Sequence, residues 1–193
     1  MTHDVLRAFD AAFPLFDRTV REVGPDQWAR RTGATDWTAK DLVNHLTSEH
    51  LWAPHLLRKE SLDDVGDRYD GDVTGTDPAG AWAEASKDSQ ITFHAPHALE
   101  GDVHVTSGTI PATEYAWQMT TDLAVHAWDL SQATGARVHL PDSLAQPLFE
   151  QARTFVPATG IPGLFDPPVE VPETADWHSR LLALLGRDPT PQH

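Results

Sequence analysis

The chain has 193 residues, 40 % of them apolar and 22 % charged, which is ordinary for a soluble globular protein and enough for one domain with a sizeable core. A net charge of −15 argues against nucleic acid and anionic membranes as partners, since both need basic patches; its plainest consequence is solubility. There is no cysteine, so disulfides, thiolate metal sites and cysteine nucleophiles are excluded, and any thiol chemistry must use the sulfur of a bound molecule.

The N-terminal stretch "MTHDVLRAFDAAF" lacks the basic start and apolar block of a signal peptide, and no apolar run approaches the roughly 20 residues that span a bilayer. The expected location is the cytoplasm. Residues 3–23 have a helical pattern with Val5, Phe9, Phe13, Phe16, Val20 and Val23 near one side, and Pro14 allows a kink. Gly24-Pro25 is a stop signal. In "DWTAKDLVNHL", Thr38 is an N-cap and Asp41 gives a capping-box-like partner; Trp37 is placed to pack on Leu42 as a hydrophobic staple. That predicts a second helix over about 39–58.

Residues 62–78, "LDDVGDRYDGDVTGTDP", are acidic and Gly-rich and read as a loop ending in an Asp77 cap and a Pro78 first position. A third helix over about 79–91 follows, then a short hairpin or extended excursion over 101–111. The fourth helix is expected over about 112–134, stopped by Gly135. A fifth begins near Pro141-Asp142 and ends before Pro157. A Pro-rich strap occupies about 157–175 and a last short helix about 176–186. Long helices with few strand signals predict an all-α fold, a helical bundle in a single domain over 1–193.

On the fourth helix, Tyr115, Met119, Asp122, His126, Leu130 and Ala133 fall in one sector, with Thr120, Thr121, Ser131 and Gln132 on the other side. Asp122 and His126 are one turn apart, close enough to converge on one ion. On the second helix, Leu42, His45, Glu49, Trp52 and Leu56 form another inward stripe. A buried unpaired carboxylate is costly. A shared cation would neutralise Asp122 and use the lone pairs of His45 and His126, giving a two-His, one-carboxylate site with an open position. Glu49 and Asp129 are candidates to steer a ligand histidine or move a proton. The same residues also fit an ordinary ion pair and hydrogen-bonded core histidines. His50, His55, His94, His97, His104 and His139 lack strong mutual spacing and read as surface or structural. Trp117 and Trp128, on the outer side of the fourth helix, read as a partner surface, as in a homodimer, or as packing under the strap.

The segments "DWTAKDLVNHL", "LAVHAWDLSQATG" and "PPVEVPETADWHSRLLALLGRDP" give the chain its likeness. It resembles the DinB-like metal-binding helical bundles, in the group related to the N-terminal domain of mycothiol-dependent maleylpyruvate isomerase. The resemblance implies a four-helix core with a site at one end and additional C-terminal helices. It implies a divalent metal, zinc or nickel, at the positions matching His45, Asp122 and His126. It also implies a low-molecular-weight thiol such as mycothiol or bacillithiol. Two departures stand out: the family often has Cys where Ala34 stands, and the isomerase is expected to carry a further C-terminal domain too large for this chain. The substrate is therefore not carried over. The resulting expectation is a metal-dependent enzyme of thiol-transferase or isomerase type acting on a small molecule. The rival is a metal-binding module or sensor without turnover. A non-haem Fe(II) oxygenase shares the ligand set but not the usual fold.

Overall fold

In the computed structural model of the chain, residues 2–34 and 36–190 are described. Helix α1 spans Thr2–Arg21 and runs through Pro14 without a break. It buries Val5, Phe9, Phe16 and Val20, four of the predicted positions; Phe13 is only half-buried, and Val23 lies beyond the helix end. Helix α2 spans Ala39–Leu57. Its capping box forms as the sequence predicts: Thr38 Oγ1 accepts from the Asp41 N–H, and Asp41 accepts from the Thr38 N–H. Where a plain loop was expected, Leu62–Val65 form a one-turn helix, α3, with its own box between Ser61 and Asp64. The cause is local: Ser61-x-x-Asp64 satisfies the first amides of a helix whatever the acidity around it.

Helix α4, Pro78–Phe93, starts where Asp77 accepts from the Gly80 N–H at 3.0 Å. Strands β1, Asp102–Val105, and β2, Gly108–Pro111, form the expected hairpin, antiparallel, with Val103 opposite Ile110. Helix α5, Ala112–Thr134, ends at Gly135, whose φ of 77° is the left-handed cap conformation that glycine adopts without strain.

Helices α1, α2, α4 and α5 make the four-helix core expected from the sequence. α1 packs on α5 and α2 on α4, and the α2–α5 and α1–α4 contacts close the ring. Aromatic rings fill it: Phe9 against Phe93 at 4.5 Å and Phe16 edge-on to Trp82 at 4.8 Å. Trp82 Nε1 donates to Asp17 at 3.2 Å, so this indole keeps a partner although buried.

Two face assignments are corrected. Thr120 and Ser131, placed on the outer side of α5, are buried. Each hydroxyl donates to a carbonyl of its own helix, Thr120 to Ala116 at 2.7 Å and Ser131 to Trp128 at 2.6 Å, which makes burial tolerable. On α2 the deeper line is Leu42, Val43, Leu46, Thr47, His50 and Ala53, while His45, Glu49 and Trp52 are half-buried. The polar stripe therefore lies on the border of the core, where carboxylates keep part of their hydration.

Residues to Ala136 form one compact unit and residues from Arg137 a second. In the second, α6, Asp142–Ala152, packs on α7, Trp177–Leu184. The Leu140 N–H donates to His178 Nδ1 at 3.2 Å, and the Val169 N–H donates to the Ala183 carbonyl at 2.8 Å, tying the Pro-rich strap to α7. Arg180 lies over the rings of Trp177 and Phe149, 4.2 and 4.7 Å from their centroids. Among the described residues no helix is long and apolar enough to cross a membrane.

Candidate functional site

The site is set by where α2 begins and how α5 is held beside it. The capping box fixes the first turn of α2, which places Trp37 just before it. The Trp37 ring lies 4.9 Å from that of His45 and 5.8 Å from that of His126. This indole therefore covers the two histidines from one side, a role that the staple assignment to Leu42 did not include.

The preceding loop is pinned to α5. The Gly33 N–H donates to the Asp129 carbonyl at 2.9 Å. A Cβ at Gly33 would stand 2.8 Å from Trp128 Cζ3, 2.9 Å from Asp129 Oδ1 and 3.2 Å from Asp129 Cα, so Trp128 or Asp129 would have to give way to admit one. Gly33→Ala is expected to destabilise the fold by about 1–3 kcal/mol, in the range of overpacking a tight contact. Urea unfolding monitored by tryptophan fluorescence measures it, and an unchanged midpoint would mean that the loop yields freely.

Asp129 is fully buried and its Oδ2 lies 2.8 Å from His126 Nδ1. That contact orients the imidazole and leaves Nε2 as its other ring nitrogen, the arrangement in which a carboxylate steers a ligating histidine. From α2, His45 Nε2 reaches to 3.8 Å from Asp122 Oδ2 on α5. The separation is too long for a hydrogen bond. It is near the roughly 3.4 Å between two donors that each lie about 2.1 Å from one tetrahedral ion. The rings of His45 and His126 meet edge to face, 5.5 Å between centroids. The pairs thus suit a two-imidazole, one-carboxylate donor set in chemistry and spacing. As the side chains stand, no three His, Asp or Glu side chains among the described residues are grouped closely enough to hold an ion.

The electrostatics are those of crowded acids around one imidazole. Burial pulls the His45 pKa down, but the carboxylates of Asp122 and then Glu49 outweigh it and leave it raised. Burial, and then the charge of Asp122, push the Glu49 carboxyl up. Further in, burial lifts the Tyr115 phenol well above 10, with Glu49 and Asp122 adding to the effect. The Tyr115 hydroxyl and His50 Nε2 are buried without a hydrogen-bond partner among the described residues. An open cleft of about 580 Å³ lies beside His45, lined also by Trp37, Asp41, Asn44, Ser48, Tyr69, Asp70 and Gly71.

His45, Glu49, Asp122, His126 and Asp129, the residues expected from the sequence, all fall in this region. Trp37 over the histidines and the wall made by Tyr69 were not expected, and His50, read as surface or structural, is buried. The spacing of Asn44, Ser48 and His55 along α2 was a signal for a second polar line. Nothing marked Tyr69 within its acidic loop.

The fold is that of the DinB-like helical bundles. Residues 9–131 match the family of the mycothiol maleylpyruvate isomerase N-terminal domain, and the chain belongs to that family. It is 29 % identical over 190 residues to uncharacterised proteins of two Mycobacterium tuberculosis strains, CDC 1551 / Oshkosh and H37Rv, covering 95 % of this chain and 98 % of each relative. It is similar in fold to crystal structures of mycothiol-dependent maleylpyruvate isomerase. A histidine-to-alanine mutant of that enzyme matches with a TM-score of 0.66 and 15 % identity, over 97 % of this chain and 82 % of that one. A second structure of the same enzyme matches with a TM-score of 0.58. Because 97 % of this chain takes part, the likeness reaches into the second unit.

Proposed function

We propose that this protein is a divalent-metal enzyme that works with a low-molecular-weight thiol in a transfer or isomerisation reaction in the cytoplasm. His45, Asp122 and His126 would hold the ion, zinc or nickel. The observation that carries this reading is the convergence of α2 and α5. His45 faces Asp122 across the helix pair at 3.8 Å, and His126 is oriented by Asp129 at 2.8 Å, both beneath Trp37. Kinship with a mycothiol-dependent isomerase supports the thiol, and mycothiol and bacillithiol are the candidates.

A bound divalent ion would supply Lewis acidity, favouring the thiolate form of a nearby sulfur. The chain's own residues supply the rest. Asp129 holds the His126 ring in one orientation, so its Nε2 keeps a fixed direction. Trp37 shields the histidines from water on one side. Glu49, whose carboxyl is pushed up by burial and by Asp122, is suited to hold or pass a proton beside the cleft.

The test separates a ligand from its support. Asp122→Asn removes a charge from beside the ion and is expected to weaken zinc binding more than 100-fold. Asp129→Asn only loosens the His126 ring and is expected to cost about 10–100-fold or less. Competition with a chromogenic chelator reads both. If Asp129→Asn strips the metal while Asp122→Asn retains it, the two roles are reversed. If neither variant nor the native protein takes up zinc or nickel, the proposal fails.

A further inference from the structure

Three titratable side chains outside the proposed ion site form a continuous hydrogen-bonded chain. Glu60 Oε2 lies 2.6 Å from His55 Nδ1, and His55 Nε2 lies 2.9 Å from the Tyr69 hydroxyl. Arg58 Nε donates to the other Glu60 oxygen at 2.9 Å. Hydrogen bonds from His55 and then Arg58 hold the Glu60 carboxyl below its ordinary range, so it is ionised and accepts. The proton in the 2.6 Å contact is therefore on His55 Nδ1, and the longer approach of Arg58 Nη2 to that nitrogen, 3.3 Å, is the lesser one. With Nδ1 protonated in a neutral ring, Nε2 carries the lone pair and accepts the Tyr69 O–H.

This order of partners is acid, imidazole, hydroxyl, the arrangement that activates a hydroxyl oxygen. Its last member, Tyr69, lines the cleft that His45 also lines. Holding the loop does not require the chain of three. The Ser48 hydroxyl donates to the Tyr69 carbonyl at 3.1 Å, and Asn44 donates to the Gly71 carbonyl at 2.9 Å and accepts from the Val73 N–H at 2.8 Å. Lys40 pairs with Asp72 at 2.7 Å. The loop backbone is thus tied to α2 at three places without His55.

We propose that Glu60, His55 and Tyr69 form a proton relay opening on the cleft, in which the Tyr69 oxygen deprotonates a thiol bound there. As the thiol S–H bond breaks, its proton goes to the Tyr69 oxygen and the Tyr69 proton goes to His55 Nε2. The resulting imidazolium is held against Glu60, and the sulfur keeps the electron pair as a thiolate. No oxidant or second reactant takes part. Tyr69 is the group that touches the ligand; His55 and Glu60 are positioning residues acting through it. The identity of the ligand rests on the reading above, whereas the relay needs no ion at His45 and is tested without one.

An aryl sulfonyl fluoride is the probe. The Tyr69 oxygen forms a bond to sulfur, fluoride leaves, and the phenol proton passes to His55. Mass spectrometry of digested protein follows the labelling rate of Tyr69. The only other tyrosine in the chain, Tyr115, is buried and serves as the internal control. Tyr69 of the native protein is expected to react faster than a free tyrosine amide. His55→Gln is expected to slow it at least about tenfold, the low side of what a positioned base contributes. Glu60→Gln, at a part-exposed position, is expected to slow it by less, and it decides the matter if His55→Gln does not fold. A clasp with only a structural role gives the opposite sign, because loosening the loop exposes the ring. Labelling unchanged or faster in these variants, or native Tyr69 no faster than the free amide, overturns the relay.

Discussion

His126→Ala is expected to abolish retention of a divalent ion by the purified protein. The imidazole would be one of three protein donors, and its loss also removes the fixed direction that Asp129 imposes on the ring. Removing an outer partner typically costs 10–100-fold in affinity, so removing a donor is expected to cost more than about 100-fold. The substitution has a second effect. Asp129 is fully buried, and taking away its 2.8 Å imidazole contact leaves a buried carboxylate with less compensation, which is worth a few kcal/mol of stability, on the order of 3. His45→Ala provides the separation, because His45 is half-buried at the cleft and its removal leaves the His126–Asp129 pair intact. Both variants are expected to lose the ion, and only His126→Ala to lose much stability. Elemental analysis after mild purification, with circular dichroism melts alongside, measures the two effects. A His45→Ala variant that keeps a full equivalent of metal would remove this histidine from the donor set.

The protein is also expected to lose stability steeply in mild acid because of His50. Its Nδ1 lies 2.9 Å from Ser89 Oγ, its Nε2 has no hydrogen-bond partner among the described residues, and Trp82 stands edge-on at 4.8 Å. Burial in these surroundings depresses its pKa from the ordinary 6.5 to about 3. As pH falls, the unfolded chain therefore binds a proton that the folded chain refuses. The stability lent by the neutral ring is whole above about 6.5 and is lost progressively towards about 3. In that window the slope from this one group approaches about 1.4 kcal/mol per pH unit. Urea midpoints at several pH values, compared between the native protein and His50→Gln, measure it. The variant is expected to start less stable but to show the shallower acid slope. Equal slopes would place the acid sensitivity elsewhere.

The local signals in the sequence were legible because their partners are a few residues away. The Thr38–Asp41 box, the Asp77 cap and the Gly135 stop each satisfy groups within one turn. The same holds for the placing of Asp122, His126 and Asp129 along one helix, and for the His126–Asp129 contact across three residues. The family was legible too, from motifs spread along the chain. The one local failure is α3, where the Ser61–Asp64 box was hidden by the acidic, Gly-rich composition around it.

Other features are decided between elements. Periodicity assigns a helix one buried face, but α5 buries Thr120 and Ser131 as well as its apolar stripe, so no single face can be read from its pattern. Whether His45 or His50 on α2 goes to the core depends on how that helix is rotated against α4 and α5. The packing puts His50 against Trp82 and leaves His45 facing Asp122. The approach of Gly33 to Asp129 and the bond from His55 to Tyr69 join parts of the chain that no spacing rule connects. The helices, their caps and the polar residues each carries are legible along the chain, because they follow from hydrogen bonds within a turn and from the 3.6-residue period. Tertiary structure alone decided which of those residues meet, because close packing of helices fixes their rotation and separation through contacts distributed along the whole interface.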